Sequence, residues 1–312
     1  MAVMDKQPAR RFGLIVIGDE ILSGRRADKH LSKMIELLNE RGLSLSWARY
    51  VSDDPDQIVQ CLKETFASGD VVFSTGGIGA TPDDHTRVSA AKALGLEIEL
   101  HPEAKVLISN RIIAMAEGDA AKADLSLSEN QHRFKMGEFP VGCEIIPNPY
   151  NQIPGFRIQE HHFFPGFPVM AAPMMAWCLD HHYSHLFHQD NWLEKSFIVP
   201  EGIESRLTPL MEEIERRFEG VKVFSLPSVG DPVRGGIYAR RHIELGVKGC
   251  ADTVQPAWEA LRQGTQSLNY QIHDLIKHYI SAKNRVTPLF RHFTSAIIAF
   301  QAVRFRYIAY ME

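Results

Sequence analysis

The sequence predicts an α/β fold built on a mostly parallel sheet, and three observations carry that expectation. Compact aliphatic runs recur at Phe12–Ile17, Ser44–Val51 and Val71–Ser74, amphipathic helical stretches separate them, and the first and third runs lead into glycine-bearing loops. Strands that alternate with helices join one sheet through right-handed crossovers, which leave the strands parallel.

The run Phe12–Ile17 ends at Gly18 and reads as a strand, after which Asp28 through Leu38 sets Leu31, Met34, Ile35 and Leu38 on one helical face. Ser44–Val51 is the second strand. Pro55–Phe66 is a helix entered through Asp53 and Asp54, short acceptors suited to free N–H groups. Val71–Ser74 is a buried strand, followed by a helix over Asp84–Leu94 with Val88, Ala91 and Leu94 inward. Pro102–Met115 and Ser128–Phe134 are further helices, separated by a solvated turn over Glu117–Asp124. Glu144–Pro147 and His162–Phe164 are short strands, and Phe167–Phe187 is a long helix with Pro173 in its early turns. The first domain is expected over residues 1–190. A small α+β domain follows over residues 191–265, with strand Ser196–Val199, helix Ile203–Phe218, strands Val221–Ser225 and Gly236–Leu245, and helix Thr253–Leu261. It has no glycine-rich phosphate loop, so a lid or interaction role is expected of it. Residues 266–312 form a tail rich in aromatic and basic residues, for which the pattern gives no fold.

Composition narrows the function classes. The 312 residues are 45% hydrophobic and 23% charged, ordinary for a globular chain. A net charge of −4 without a long single-sign block offers no footprint for nucleic acid or an acidic membrane. Cys61, Cys143, Cys178 and Cys250 lack CxxC spacing, so neither a disulfide framework nor a thiolate zinc site is expected. No signal-peptide pattern and no apolar run near bilayer length is present, and the expected location is the cytoplasm. His181, His185 and His188 recur at helical spacing, but with no acid or cysteine cluster beside them a solvated helix end is the simpler reading than a metal site.

The chemistry concentrates in Ser74-Thr75-Gly76-Gly77-Ile78-Gly79-Ala80-Thr81-Pro82-Asp83-Asp84-His85-Thr86, between a buried strand and a helix. Ligands of open α/β sheets bind at the carboxyl ends of the strands, where glycines let backbone N–H groups approach phosphate oxygens. Asp83 and Asp84 either cap the following helix or hold a hard cation such as Mg²⁺. Gly18-Asp19-Glu20-Ile21-Leu22-Ser23-Gly24 follows the first strand and opens onto the same edge, where Asp19, Glu20 and Asp28 either meet the ligand or serve as solvated connectors and caps. Asp53 and Asp54, after the second strand, pose the same choice.

These segments resemble the molybdopterin-binding domain of MoaB- and MogA-type cofactor-biosynthesis proteins, and most closely the N-terminal domain of the CinA (competence/damage-inducible protein A) family. The resemblance rests on the two loops above, on Ile146-Pro147-Asn148-Pro149, Ile153-Pro154-Gly155-Phe156 and Phe164-Pro165-Gly166-Phe167-Pro168, and spans Phe12 to Leu186, more weakly to Gly264.

What the resemblance implies is a three-layer α/β/α domain, usually a homo-oligomer, with the ligand diphosphate on the glycine loop and a divalent cation (Mg, Mn or Co) near the acids. CinA-like relatives hydrolyse ADP-ribose to AMP and ribose 5-phosphate, whereas MogA-like relatives adenylylate molybdopterin with ATP and Mg²⁺. Carried onto this chain, Asp83 and Asp84 are the catalytic and metal-ligating candidates, and Gly76, Gly77 and Gly79 cradle phosphate. Gly18, Asp19, Glu20, Asp28, Thr75, Thr81, Thr86, Asn148, Pro165 and Gly166 complete the ligand-binding set. The expected partner is a nucleotide or pterin small molecule. Metal-dependent hydrolysis of an ADP-ribose-type diphosphate is the first functional expectation; the alternatives are a non-catalytic molybdopterin binder and a MogA-like adenylyltransferase. Ala80 stands where many CinA relatives have proline, and Val169 where they commonly have glutamate. Nothing in the sequence resembles the nicotinamide-nucleotide amidase domain of full-length CinA, so amidase activity is not expected.

Overall fold

The computed structural model describes residues 10–189 and 192–275. The chain divides into two compact units, with the division between Asn191 and Trp192.

The first unit runs β1 (Phe12–Ile17), α1 (Asp19–Leu22), α2 (His30–Glu40), β2 (Leu45–Val51), α3 (Pro55–Ser68), β3 (Val71–Thr75), α4 (Thr86–Leu94), β4 (Ile98–Leu100), α5 (Pro102–Met115), α6 (Ala120–Ala123), α7 (Ser128–Phe134), β5 (Glu138–Pro140), β6 (Glu144–Ile146), β7 (Gly155–Ile158), β8 (His161–Phe164) and α8 (Pro168–His182). Its main sheet has the order β2-β1-β3-β8-β7-β6, parallel from β2 through β8 and antiparallel across β7 and β6. Alternation along β1 separates two cores. Leu14 and Val16 pack with Met34 and Leu38 of α2 and Met174 and Cys178 of α8, whereas Ile15 and Ile17 pack with Ile58 and Leu62 of α3 and Ala90 of α4. Helices thus cover both faces, the three-layer α/β/α architecture.

Local chemistry explains the well-defined ends. Asp54 caps α3 by accepting from the backbone N–H groups of Asp56 and Gln57, with Pro55 in the first turn where its missing N–H costs nothing. Gly69 closes the same helix at φ 71, a left-handed cap that a side chain resists.

Four expectations are corrected. The β7 strand is additional; it turns into β8 through Gln159 and Glu160, with Gln159 at φ 52, a tight turn made without the usual Asn-Gly or Gly signal. A small antiparallel pair, β4 with β5, and the short helix α6 also lie in segments too short to show a periodicity. The helix expected over Phe167–Phe187 ends at His182, because Tyr183 is buried edge-on against Phe12. His185 and His188 are therefore not on α8. The helix expected from Asp84 begins at Thr86, and Val88, expected inward, is exposed while Ala90 and Ala91 are buried.

The second unit contains β9 (Trp192–Pro200), α9 (Glu204–Arg217), β10 (Lys222–Ser228), β11 (His242–Cys250), α10 (Ala251–Ser267) and β12 (His273–Asp274). Its sheet, β10-β11-β9-β12, is antiparallel throughout, and Phe197, Val199, Leu207, Ile214, Leu245, Val247, Val254 and Leu261 form its core. The strand expected from Gly236 starts at His242 instead. Gly235 and Gly236 adopt positive φ and lead a 3₁₀ turn through Ala239. The β12 strand brings the start of the expected tail into this sheet; the aromatic and basic stretch from residue 276 lies outside the described residues. Among those residues no helix is long and apolar enough to cross a membrane.

Candidate functional site

The site forms where the sheet reverses direction. The chain leaves β1 toward β2 on one side, while β3 lies on the other, so the loops leaving β1 and β3 diverge and open a crevice at the strands' carboxyl ends. A cleft of about 700 Å³ occupies it. Gly18 and Glu20 line it from the first loop, Thr75, Gly76, Gly77, Gly79, Thr81, Asp83 and Asp84 from the second, and Pro165 and Gly166 from the turn after β8.

The conformation of the second loop is dictated by what its carbonyls meet. Gly76 sits at φ 99 and Gly77 at φ 66, and a Cβ on Gly76 would lie 2.1 Å from the Ile17 carbonyl oxygen. The Gly76 N–H donates to the Phe164 carbonyl at 3.0 Å. Its own carbonyl accepts from the Thr86 hydroxyl at 2.9 Å, and the Gly77 carbonyl accepts from the Thr86 N–H at 3.0 Å. Arg87, buried, donates to the Gly79 carbonyl at 2.6 Å and also reaches the carbonyls of Lys135 and Glu138. The His132 ring donates through Nε2 to the Ala80 carbonyl at 2.8 Å, the carbonyl being able only to accept.

With those carbonyls held by the protein, the N–H groups of Gly77, Ile78, Gly79 and Ala80 find no acceptor among the described residues, and all four residues line the cleft. Successive unsatisfied amides in a turn form a concavity for an anion. Ile78 is buried and Gly77, Gly79 and Ala80 are half-buried on the cleft wall, so these donors face the cleft rather than a protein acceptor.

The acids are arranged differently from helix caps. His85 precedes α4 with no side-chain cap, and the Asp84 carboxylate instead accepts from the Thr81 N–H at 2.8 Å and hydroxyl at 2.5 Å, closing the loop on itself. The nearby Thr81 side chain, and then its own backbone N–H, hold the Asp83 carboxyl below the usual range, so it is ionised at neutral pH, while the Thr81 hydroxyl proton itself is placed on Asp84. Asp19 and Asp53 bracket the first loop reciprocally: Asp19 N–H donates to Asp53 at 2.8 Å and Asp53 N–H to Asp19 at 3.3 Å. Burial, and then the like charges of Asp19, Glu20 and Asp83, push the Asp53 carboxyl up, against the lowering effect of the Asp19 N–H.

Four expected site residues are placed outside the lining: Asp19, paired with Asp53 through the two bonds above, and Asp28, Thr86 and Asn148. Asp28 accepts from the N–H groups of His30 and Leu31 at the start of α2 and from the Tyr50 hydroxyl. Thr86 is fully buried under the loop. Asn148 is spent on Tyr150, Asn151 and Ile153 in its own turn.

Residues that sequence reasoning passed over complete the cleft. Arg26, Lys29 and His30 line it, and neither Arg26 nor Lys29 forms an ion pair among the described residues. Burial lowers the His30 pKa, and its Nε2–H donates to the Gly166 carbonyl at 3.2 Å, so a neutral imidazole braces the third loop. The findable signal was their position, just after the first loop and before the helix it feeds.

Among the described residues no group of three or more His, Cys, Asp or Glu is placed to hold a metal ion. The carboxylates therefore fit a cation held by one or two of them together with ligand phosphate oxygens, as Mg²⁺ commonly is, and do not fit an all-protein cage.

A three-layer α/β/α domain with a glycine loop and a cleft at the switch point of its sheet is the class of protein that the fold and the site define. The model of the family described as a probable molybdopterin binding domain matches residues 13–184, and the chain belongs to that family. A protein of Caldivirga maquilingensis is 26% identical over 283 residues, 89% of this chain and 98% of its own. A CinA-like protein of Citrifermentans bemidjiense is 34% identical over 169 residues, covering 53% of this chain but only 38% of the relative's length. The solved structure of the CinA protein "with unknown function" from Thermoplasma acidophilum is similar at a TM-score of 0.46 and 24% identity, over 55% of this chain and 98% of that one.

The crowded acids carry a first testable consequence. Asp53→Asn keeps an oxygen for the Asp19 N–H and removes one of the mutually repelling charges, so the free protein's Tm is expected to rise by roughly 1–2 °C. Divalent-cation affinity in the presence of a diphosphate is expected to fall. Differential scanning calorimetry and a cation titration read the two opposite signs; a lowered Tm sinks the repulsion argument.

Proposed function

We propose that the first unit binds a diphosphate-bearing nucleotide or pterin ligand and hydrolyses the phosphoanhydride of an ADP-ribose-type diphosphate, with a divalent cation. The observation that carries the reading is the row of four free amides at Gly77, Ile78, Gly79 and Ala80. Such donors are aimed before the ligand arrives, so they strengthen as negative charge builds on a phosphate oxygen without reorganisation cost. Arg26 and Lys29 supply positive charge from the opposite loop. Asp83 and Asp53 are the carboxylates that would hold the cation beside the phosphates. When bound, it would neutralise phosphate charge and help to activate water. Asp84 is then a positioning residue that fixes Thr81 and the loop, a narrower role than direct catalysis.

A second reading, a non-catalytic molybdopterin-binding domain, is favoured by Val169 standing after Pro168 where the CinA-like resemblance calls for glutamate. Product analysis separates the two. ADP-ribose is incubated with the protein and Mg²⁺, Mn²⁺ or Co²⁺, beside a chelator control and the Asp83→Ala and Asp84→Ala variants. Cation-dependent AMP and ribose 5-phosphate, reduced at least tenfold in Asp83→Ala while its melting curve is kept, is the expected outcome. Intact ADP-ribose under every cation rules out hydrolysis and leaves the binding reading.

A further inference from the structure

One large aromatic residue in the cleft has no structural employment. Phe167 lines the cleft yet is 54% exposed, and it is absent from the hydrophobic clusters of the first unit. No ring or guanidinium among the described residues stacks on it. Single exposed apolar residues are ordinary on a protein surface; what sets Phe167 apart is that its exposed ring lines the cleft, where a bound ligand would cover it.

Its setting is also rigid. Phe167 is the residue before α8, at φ −91 and ψ 116, between Gly166 and Pro168, with Pro165 just upstream. Its carbonyl accepts from the N–H groups of Met170 and Ala171, both at 2.9 Å. The preceding Gly166 carbonyl is held by His30. The same turn touches the phosphate loop: a Cβ on Gly166 would lie 3.4 Å from the Gly76 Cα, and the Gly76 N–H is bound to the Phe164 carbonyl. The backbone of that turn is thus held at a set position relative to the four free amides, and it carries the Phe167 ring along one wall of one cleft.

We infer that Phe167 is the platform on which the ligand's flat heteroaromatic ring, a purine or a pterin, stacks while its diphosphate lies on the Gly77–Ala80 amides. This rests on the diphosphate reading above and adds to it the residue that selects ring-bearing over ring-less phosphates. Aromatic stacking accepts any planar π-face, which is why the two ring classes share this chemistry. Because the side chain is outside the core, its replacement tests binding without threatening the fold.

Isothermal titration of inorganic pyrophosphate, ADP-ribose and 6-hydroxymethylpterin diphosphate against wild type, Phe167→Ala and Phe167→Tyr tests the inference. Phe167→Ala is expected to weaken at least one of the ring-bearing ligands about 10- to 100-fold and leave pyrophosphate within twofold, with Phe167→Tyr close to wild type. The ligand that loses more identifies the ring. If pyrophosphate binds but Phe167→Ala changes neither ring-bearing ligand, the platform is wrong and the diphosphate reading stands. If pyrophosphate and both ring-bearing ligands fail to bind wild type, the diphosphate reading falls and takes the platform with it. A loss of pyrophosphate equal to that of the ring-bearing ligands overturns ring selection, since the substitution then acts through the loop.

Discussion

Gly76→Ala is expected to lower stability by about 3–4 kcal/mol and to weaken diphosphate binding at least 100-fold. Two costs combine. At φ 99 a side chain strains the backbone, and its Cβ would occupy space 2.1 Å from the Ile17 carbonyl oxygen, which belongs to the end of β1 and cannot swing aside as a flexible side chain would. Relief requires the loop to lift from β1, breaking the bond to the Phe164 carbonyl and misaiming the amides that follow. Gly95→Ala separates strain from collision: that glycine has φ 68 at the end of α4 with nothing within 4 Å of its added Cβ. It is expected to cost only about 1 kcal/mol and to leave binding unchanged. Urea melts and pyrophosphate titration of both variants provide the check, and equal penalties for the two would remove the steric argument.

The second large effect is on acid stability. His161 is buried, with Nε2–H donating to the Thr65 hydroxyl at 2.9 Å, its Nδ1 unpartnered, and its ring 3.9 Å from that of Phe66. Burial pushes its pKa down to about 3. His162 is held well below its ordinary value by burial first and then by Arg157 and His182. A histidine whose folded pKa is depressed takes up protons in the unfolded chain before the folded one. Stability therefore rises with pH across this window and is lost as pH falls below the unfolded value near 6.5. Between pH 7 and 5 His161 is expected to remove about 2 kcal/mol of a total of roughly 5–15 kcal/mol, with His162 acting in the same direction. The His161→Leu/His162→Leu variant should flatten that slope in denaturant melts at pH 7, 6 and 5. An unchanged slope would show that the rings are not held neutral.

The parts legible in the sequence are those with local causes. Phe12–Ile17 and its exit at Gly18, the Asp54 cap of α3 and the placement of the glycine loop after β3 each depend on neighbours in the chain, whereas the expected face of α2 holds only in part, with Met34 and Leu38 buried but Ile35 exposed and Leu37 buried in its stead. The β7–β8 turn was not legible because Gln159 adopts positive φ without being Gly or Asn. The free amides were not legible either, though the glycines were. Their freedom depends on Arg87 and His132 holding carbonyls, contacts 8 and 52 residues apart in sequence. Asp28, Thr86 and Asn148 show the converse, polar residues within family motifs whose side chains are consumed by local bonds. Asp53 enters the site because β2 lies beside β1, a matter of sheet order that no motif records.

The most direct measurement of the diphosphate site is a ¹H–¹⁵N amide titration of the protein with ADP-ribose and with pyrophosphate. The expected result is a downfield movement of the Gly77, Ile78, Gly79 and Ala80 amide protons with both ligands, larger than that of the already bonded Gly76 and Thr86 amides. Ligand binding that shifts other amides and leaves those four unmoved would contradict it.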